Sequence, residues 1–192
     1  ELKPVAYVLG LTNLILHEMD IPDYHYMDSL KKEYNSIGNK DQVDVILANP
    51  PFGARIADGV ETNFPATYRC KESADLFVIL MLQLLKPNGR CAIVLPDGSI
   101  TGDGVKSRIR EKLLTDTNLH TIIRLPDTTF FPAKVSTNLL FFEKGRETKD
   151  IWFYEHKLPD GQKSYSKTKP IRFDELQPII EWWDNRKTTK VA

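Results

Sequence analysis

The 192-residue chain lacks most of the features that assign a function at a glance. Neither charge is in excess: 26 basic residues balance 26 acidic ones. That argues against a self-sufficient, strongly electrostatic nucleic-acid binder, while leaving room for a local basic groove or a charged partner. Cysteine is scarce. Cys70 and Cys91 stand alone without Cys-x-x-Cys spacing, which points to free thiols in a reducing compartment. His17, His25, His120 and His156 are scattered, so no metal site is expected. No apolar run is long enough to span a bilayer, and there are no repeats or low-complexity tracts. The opening "ELKPVAYVLG" has neither the basic start of a signal peptide nor an initiator Met, and the missing Met reads as the mark of a fragment.

What is present is an ordinary globular composition, 41% hydrophobic and 27% charged, with enough length for one sizeable core. Residues 3–19 read as a helix, with Pro4 suited to its first turn. "DYHYM" (23–27) reads as a short strand, followed by a polar helix to Tyr34 capped by Asp28 or Ser29. Residues 43–48 form a nearly continuous apolar strand, as in a sheet covered on both faces. "ADLFVILMLQLL" (74–85) is a helix apolar almost all round, stopped by "KPNG". A strand at 90–95 leads into a glycine-rich loop, "PDGSITGDG", then a helix at 105–114. Strands at 119–125 and 137–142 are joined without a helix, so that pair is expected to be antiparallel and at one edge. "DIWFYEH" and "QKSYSKT" around "KLPDG" suggest a hairpin, and 173–186 a final helix. Helix–strand alternation predicts a mostly parallel α/β sheet. A catalytic unit would span 1–146, and a hairpin-plus-helix extension 147–192.

The stretch "VDVILANPPFGAR" (43–55) carries the most chemistry. In an open α/β sheet, ligands bind beyond the carboxyl ends of strands, where Asn49 to Phe52 fall. Asn49 offers a carboxamide oxygen that accepts hydrogen bonds without acting as a base. Pro50 has a fixed φ, and Pro51 holds it extended, so its carbonyl has a set direction. Phe52 offers a face for stacking a planar ring. Two acceptors beside a stacking face suit a conjugated amino group, whose delocalised lone pair makes it a poor nucleophile. Accepting its hydrogens favours pyramidal nitrogen and stabilises the positive charge that grows there during attack. A bare Asn-Pro-Pro also serves simply to end a strand. The apolar strand before it and the aromatic after it favour the chemical reading.

"DVILANPPFG" resembles the catalytic motif of S-adenosylmethionine-dependent methyltransferases that make N6-methyladenine in DNA. "AYVLGLTNLILH" (6–17), "MDSL" (27–30), "ADLFVILMLQLLKPNGRCAIVLPDG" (74–98), "RIREKLL" (108–114), "STNLLFFEK" (136–144) and "IWFYEHKLPDGQKSYSKTKPI" (151–171) extend the likeness to the modification (M) subunit of type I restriction-modification systems. The resemblance implies a Rossmann-like methyltransferase sheet, S-adenosylmethionine as cofactor, and a bacterial or archaeal cytoplasmic location. It implies DNA, a specificity (S) subunit, a second M subunit and a restriction (R) subunit as partners. Asn49 and the Pro50 carbonyl, with Pro51 stiffening the corner, would hold the adenine amino group, and Phe52 would stack on the flipped base. Glu1 matches the acid that binds the cofactor ribose, though a terminal Glu is also just a chain end. Asp28 matches the acid that receives the cofactor adenine, and can serve equally as a helix cap. The family's Asp-Pro-x-x-Gly-x-Gly cofactor loop lies before the Glu1 position and is not reproduced here. The sheet is therefore expected to be incomplete on its N-terminal side and the isolated chain inactive.

The loop 53–73 leaves the corner directly and carries Arg55, Arg69 and Lys71. It reads as a DNA-facing flap or as a solvated loop. Trp152, Trp182 and Trp183 suit core or subunit contacts better than base stacking, and "NRKTTK" (185–190) suits a solvated tail. Asn-Pro-Pro-aromatic corners also serve RNA guanine-N2 and protein-glutamine methyltransferases, and a truncated, non-catalytic scaffold is an alternative of another class.

Overall fold

The computed structural model describes residues 1–186. Its centre is a mixed five-stranded sheet made of β1 (Val43–Ala48), β2 (Leu85–Pro96), β3 (Thr117–Leu125), β4 (Thr137–Lys144) and β5 (Trp152–Glu155), in the order β1-β2-β4-β3-β5. β1 runs parallel to β2, and β5 parallel to β3, while β4 is antiparallel to both its neighbours. The pair β3–β4 is antiparallel as expected, but β4 lies inside the sheet and β5 lies outside the pair. The "IWFYEH" segment thus spends its backbone groups on β3. The expected hairpin does not form, and only the turn at "KLPDG" remains, closed by Gln162 N–H on the Pro159 carbonyl at 2.9 Å.

Helix α2 (Ser73–Leu84) is buried on nine of its twelve residues. It packs with α4 (Val105–Asp116) in the main core, with Ile93, Leu95, Leu119, Ile122, Leu140 and Phe142 from the sheet. Burying each such side chain is worth roughly 1.5–3 kcal/mol, which outweighs α2's lack of an exposed polar face. The opposite sheet face presents Ile123, Leu139 and Phe141 to helix α5 (Gln177–Asp184) through Ile179 and Trp183. Trp183 meets Phe141 edge-on at 4.8 Å, and Trp152 and Trp182 meet at 6.4 Å, so all three tryptophans pack in the fold. The part of the "NRKTTK" segment beyond residue 186 lies outside the described residues.

Several local expectations are corrected. "KPNG" does not end an element but forms a bulge inside β2, whose register against β1 jumps from Val43↔Leu85 to Val45↔Arg90. A Cβ at Gly89 would sit 2.9 Å from the Lys86 carbonyl oxygen and 3.2 Å from that of Asp44, so only glycine fits the bulge. "PDGSIT" is not a loop but the short helix α3 (Asp97–Thr101). Arg110 closes it by donating to the Gly102 carbonyl at 2.6 Å. The polar helix expected to reach Tyr34 breaks into 3-10 turns at Ser29–Lys31 and Tyr34–Ser36. Helix α1 (Pro4–Leu16) stops before His17. Residues 23–27 form no strand. Their backbone pairs with Glu1, through its terminal N–H₃⁺ on the His25 carbonyl and Met27 N–H on the Glu1 carbonyl, both 2.9 Å.

The apolar character of β1 predicts cover on both faces. Ile46 and Ala48 do pack on the main core, but Val43, Val45 and Leu47 are exposed, Leu47 by 80%. β1 is the outer strand of the sheet, and none of the residues of α1 is buried.

Candidate nucleotide-binding cleft

Three chain segments meet at the carboxyl end of β1. Parallel pairing sets Ala48 beside Ile93, so the corner after β1 lies next to the end of β2. Antiparallel pairing sets Thr137 beside Pro96, so the loop 126–136 rises at the same place. Asp97 N–H on the Ser136 carbonyl (3.0 Å) ties α3 to that loop. Between them lies a cleft of about 530 Å³, lined by Asn49–Gly53 and Glu72, by Phe130, Ala133 and Val135, and by Pro96, Gly98 and Lys106.

The corner is held by its second proline. Ser73, buried at the start of α2, donates its Oγ hydrogen to the Pro51 carbonyl at 3.0 Å, and its N–H to the Ala54 carbonyl at 3.1 Å. No hydrogen bond is made to the Pro50 carbonyl among the described residues. The Asn49 side chain is exposed. Asn49 is thus exposed at the cleft, Pro50 is a buried residue of the cleft wall whose carbonyl takes up no hydrogen bond among the described residues, and their neighbour Pro51 does the anchoring. Phe52 is half-buried and meets Phe130 edge-on, centroids 5.3 Å apart and planes at 82°. The two rings form an aromatic corner in which a planar group can lie against one face and one edge.

Phe130 is not among the residues that the sequence singles out. Its signal is the pair "FF" before Pro132 in a loop between strands, since large aromatics in such loops have few structural reasons to be there. Ser73 and Lys106 carry no such signal, because their proximity arises only from the packing of α2 and α4.

The loop 53–72 is not a free flap. Its ends pair antiparallel at Arg55 and Glu72, and Val60 and Phe64 are buried in the main core. Arg69 spends its guanidinium on the carbonyls of Phe64 (2.9 Å) and Thr62 (3.2 Å). Lys71 lies 2.6 Å from Glu61 and 2.9 Å from Asp58. These bonds hold both carboxyls below their usual range and the Lys71 ammonium above its own. Arg55 is exposed and takes up no ion pair among the described residues.

Glu1 and Asp28 lie close together through the backbone pairing of Glu1 with residues 25–27. Each carboxylate is oriented by one backbone amide: Glu1 Oε1 accepts from Lys3 N–H at 2.8 Å, and Asp28 Oδ1 from Leu30 N–H at 3.0 Å. The first bond lowers the Glu1 pKa. Each keeps a second oxygen for another donor. Among the described residues no three metal-ligating side chains cluster, and no helix is long and apolar enough to cross a membrane.

Comparison with known proteins gives this geometry a setting. A type I restriction enzyme EcoEI methylase subunit from Escherichia coli is 48% identical over 187 residues, covering 96% of this chain and 38% of its own length. The crystal structure of a modification subunit of a putative type I restriction enzyme from Vibrio vulnificus YJ016 superposes with a TM-score of 0.94 at 41% identity, over 99% of this chain and 41% of that one. A structure from work on complex assembly and conformational transition of the type I R-M system matches with a TM-score of 0.90 at 35% identity, over 96% and 38%. The chain spans about two fifths of these relatives. The family model for N-6 DNA methylases matches residues 1–191, and the chain belongs to that family.

Proposed function

We propose that this chain carries the base-receiving part of a methyltransferase that modifies the N6 amino group of adenine in DNA, within a type I modification subunit. The observation that carries this reading is the pair of cleft-lining residues Asn49 and Pro50, the latter buried but with a carbonyl that takes up no donor among the described residues, beside the Phe52–Phe130 corner. An adenine ring flipped out of the duplex would lie against the aromatic corner. Its two N6 hydrogens would be accepted by Asn49 and Pro50, which draws the lone pair out of conjugation and meets the positive charge that builds on nitrogen. Neither oxygen is basic enough to keep a proton, so the proton lost from nitrogen passes to water.

The cofactor is S-adenosylmethionine, which when bound supplies the electrophilic methyl group. The oriented carboxylates fit two of its groups. Glu1 suits the ribose diol, and Asp28 the adenine amino group, each through the oxygen its backbone amide leaves over. Of the three basic residues of the loop 53–73, Arg55 is the one left for a phosphate contact, since Arg69 and Lys71 are committed within their loop. The zero net charge fits a chain that leaves sequence reading and most phosphate contacts to a specificity subunit, with a second M subunit and a restriction subunit completing a cytoplasmic assembly. Residues 1–146 form the catalytic unit, and 147–192 an extension that adds β5 and α5 to it.

The test is mass spectrometry of nucleosides from cells expressing the intact protein with its partner subunits. N6-methyladenine in DNA is expected. Methylguanosine in RNA without it would assign the corner to the guanine-N2 reaction and overturn this reading.

A further inference from the structure

Lys106 has no place in the chemistry above, yet it lines the cleft. It stands at the second position of α4, where the helix dipole disfavours a cation. Its counter-ion is Asp75 of α2, 1% exposed, with Lys106 Nζ at 3.2 Å from Asp75 Oδ2. That contact is an ion pair without a hydrogen bond, and Asp75 Oδ2 has no hydrogen-bond partner among the described residues. A buried pair kept only for stability would be expected to have its bonds complete, because a half-satisfied one costs more than an apolar replacement.

The surroundings leave the lysine a path. Its stem lies across Gly102, where a Cβ would be 2.4 Å from Lys106 Cδ and 2.7 Å from the Gly98 carbonyl oxygen. A Cβ on Gly98 would lie 3.9 Å from the ammonium itself. Arg110 holds this glycine turn from beneath, through the carbonyls of Gly102 and Ser99. The Lys106 side chain is 26% exposed and lines the cleft, whose one acidic lining residue is Glu72, while the Asp75 side chain is only 2% exposed.

A cation here cannot assist at the reacting amino group, where positive charge is growing. The only charged part of a nucleotide is its phosphate. We propose that Lys106 is a positioning residue that binds the backbone phosphodiester of the nucleotide entering the cleft, its ammonium shared then between that phosphate and Asp75. This rests on the reading of the cleft as the target-nucleotide site. Asp75 keeps the ammonium compensated before DNA arrives, and the missing hydrogen bond leaves its N–H groups for the phosphate.

The test is DNA binding by the intact protein with its partner subunits, measured over a range of salt concentrations for wild type, Lys106→Gln, Lys106→Arg and Asp75→Asn. Lys106→Gln should weaken binding several-fold and reduce the slope of log K against log salt by about one, the signature of one lost phosphate contact. Lys106→Arg should restore the slope, and Asp75→Asn should keep it, since the lysine remains. In turnover, the Lys106→Gln loss should fall on KM for DNA more than on kcat. An unchanged slope in Lys106→Gln, in a wild type that binds and methylates DNA, would overturn the assignment and leave the pair a structural one. A wild type that neither binds nor methylates DNA would instead overturn the reading of the cleft itself. Should Lys106→Gln fail to fold, the double variant Asp75→Asn/Lys106→Gln, which leaves no buried carboxylate without its counter-ion, carries the same slope measurement.

Discussion

At the residue scale the chemistry narrows to a division of labour within four consecutive residues. Pro51 is spent on structure through Ser73, and the carbonyl of the buried Pro50 takes up no donor among the described residues. Asn49 is exposed, so its removal leaves no buried polar group unpaired, and its loss should be felt in catalysis and not in folding. In the intact protein, Asn49→Ala should lower the methylation rate by at least about 100-fold, by analogy with losing one preorganised group at a charge-developing centre. Its thermal midpoint should stay close to that of wild type. Substantial residual methylation would break the two-acceptor mechanism. This part of the site is legible in the sequence because its meaning is local: two prolines set a carbonyl direction whatever surrounds them. Phe130 and Lys106 are not legible there. They reach the cleft from 78 and 54 residues beyond Phe52, across α2, β2 and α3 and, for Phe130, also α4 and β3, and only the fold brings them in.

At the scale of elements, sequence pattern serves well where one residue face is buried and poorly where tertiary bonds take over. α2 and β4 follow from their apolar runs. The "KPNG" bulge and the short α3 do not, because β1 pairing and an Arg110 side chain decide them. The extension after residue 146 is the clearest case. Its β5 joins β3, and a buried chain of polar groups secures the segment after that strand: His156 and Tyr165 are bonded at 2.9 Å, and Tyr165 O–H donates to Glu175. With the tyrosine hydrogen committed to the carboxylate, His156 must donate from Nε2, and burial favours its neutral Nε2–H form over the imidazolium. Burial lowers the pKa of His156, against the opposing pull of Glu175, and burial likewise lowers that of His120. The unfolded chain therefore takes up protons first, at the ordinary histidine value of 6.5. Stability should be full above that value and fall as pH drops from it through the lowered folded-state values. The carboxylates with depressed pKa values, Asp41, Asp58 and Glu61 among them, add their own loss only at more acidic pH. Urea midpoints measured between about pH 7.5 and 5, a window that brackets the ordinary histidine value, should decline on acidification, and His156→Gln should flatten the decline. A midpoint that rises on acidification would contradict the neutral assignment.

For the whole molecule, helix–strand alternation points correctly to an α/β sheet, while the interior position of the antiparallel β4 stays hidden. A long loop without a helix marks reversal of direction, but not which two strands the reversed one will separate. The apolar run of β1 suits cover on both faces, yet here it is an outer strand with Val43, Val45 and Leu47 bare. Helix α1 leaves Val5, Val8, Leu9 and Leu16 exposed as well, with Leu2 just before it. An unpaired, mostly apolar strand edge is a template for pairing with another chain, and bare apolar surface adds a driving force for it. Asp44, the one charge on β1, is neutralised by Lys86 at 2.8 Å, so it offers little repulsion along that edge. The 192-residue chain on its own should accordingly self-associate as its concentration rises. Sedimentation velocity should show the average mass climbing with concentration, and Leu47→Lys, which places a charge on an 80% exposed position without touching the core, should shift that climb to higher concentration. A chain that stays monomeric throughout, or a Leu47→Lys variant that associates as readily as wild type, would mean that the β1 edge is not where the exposed apolar surface acts.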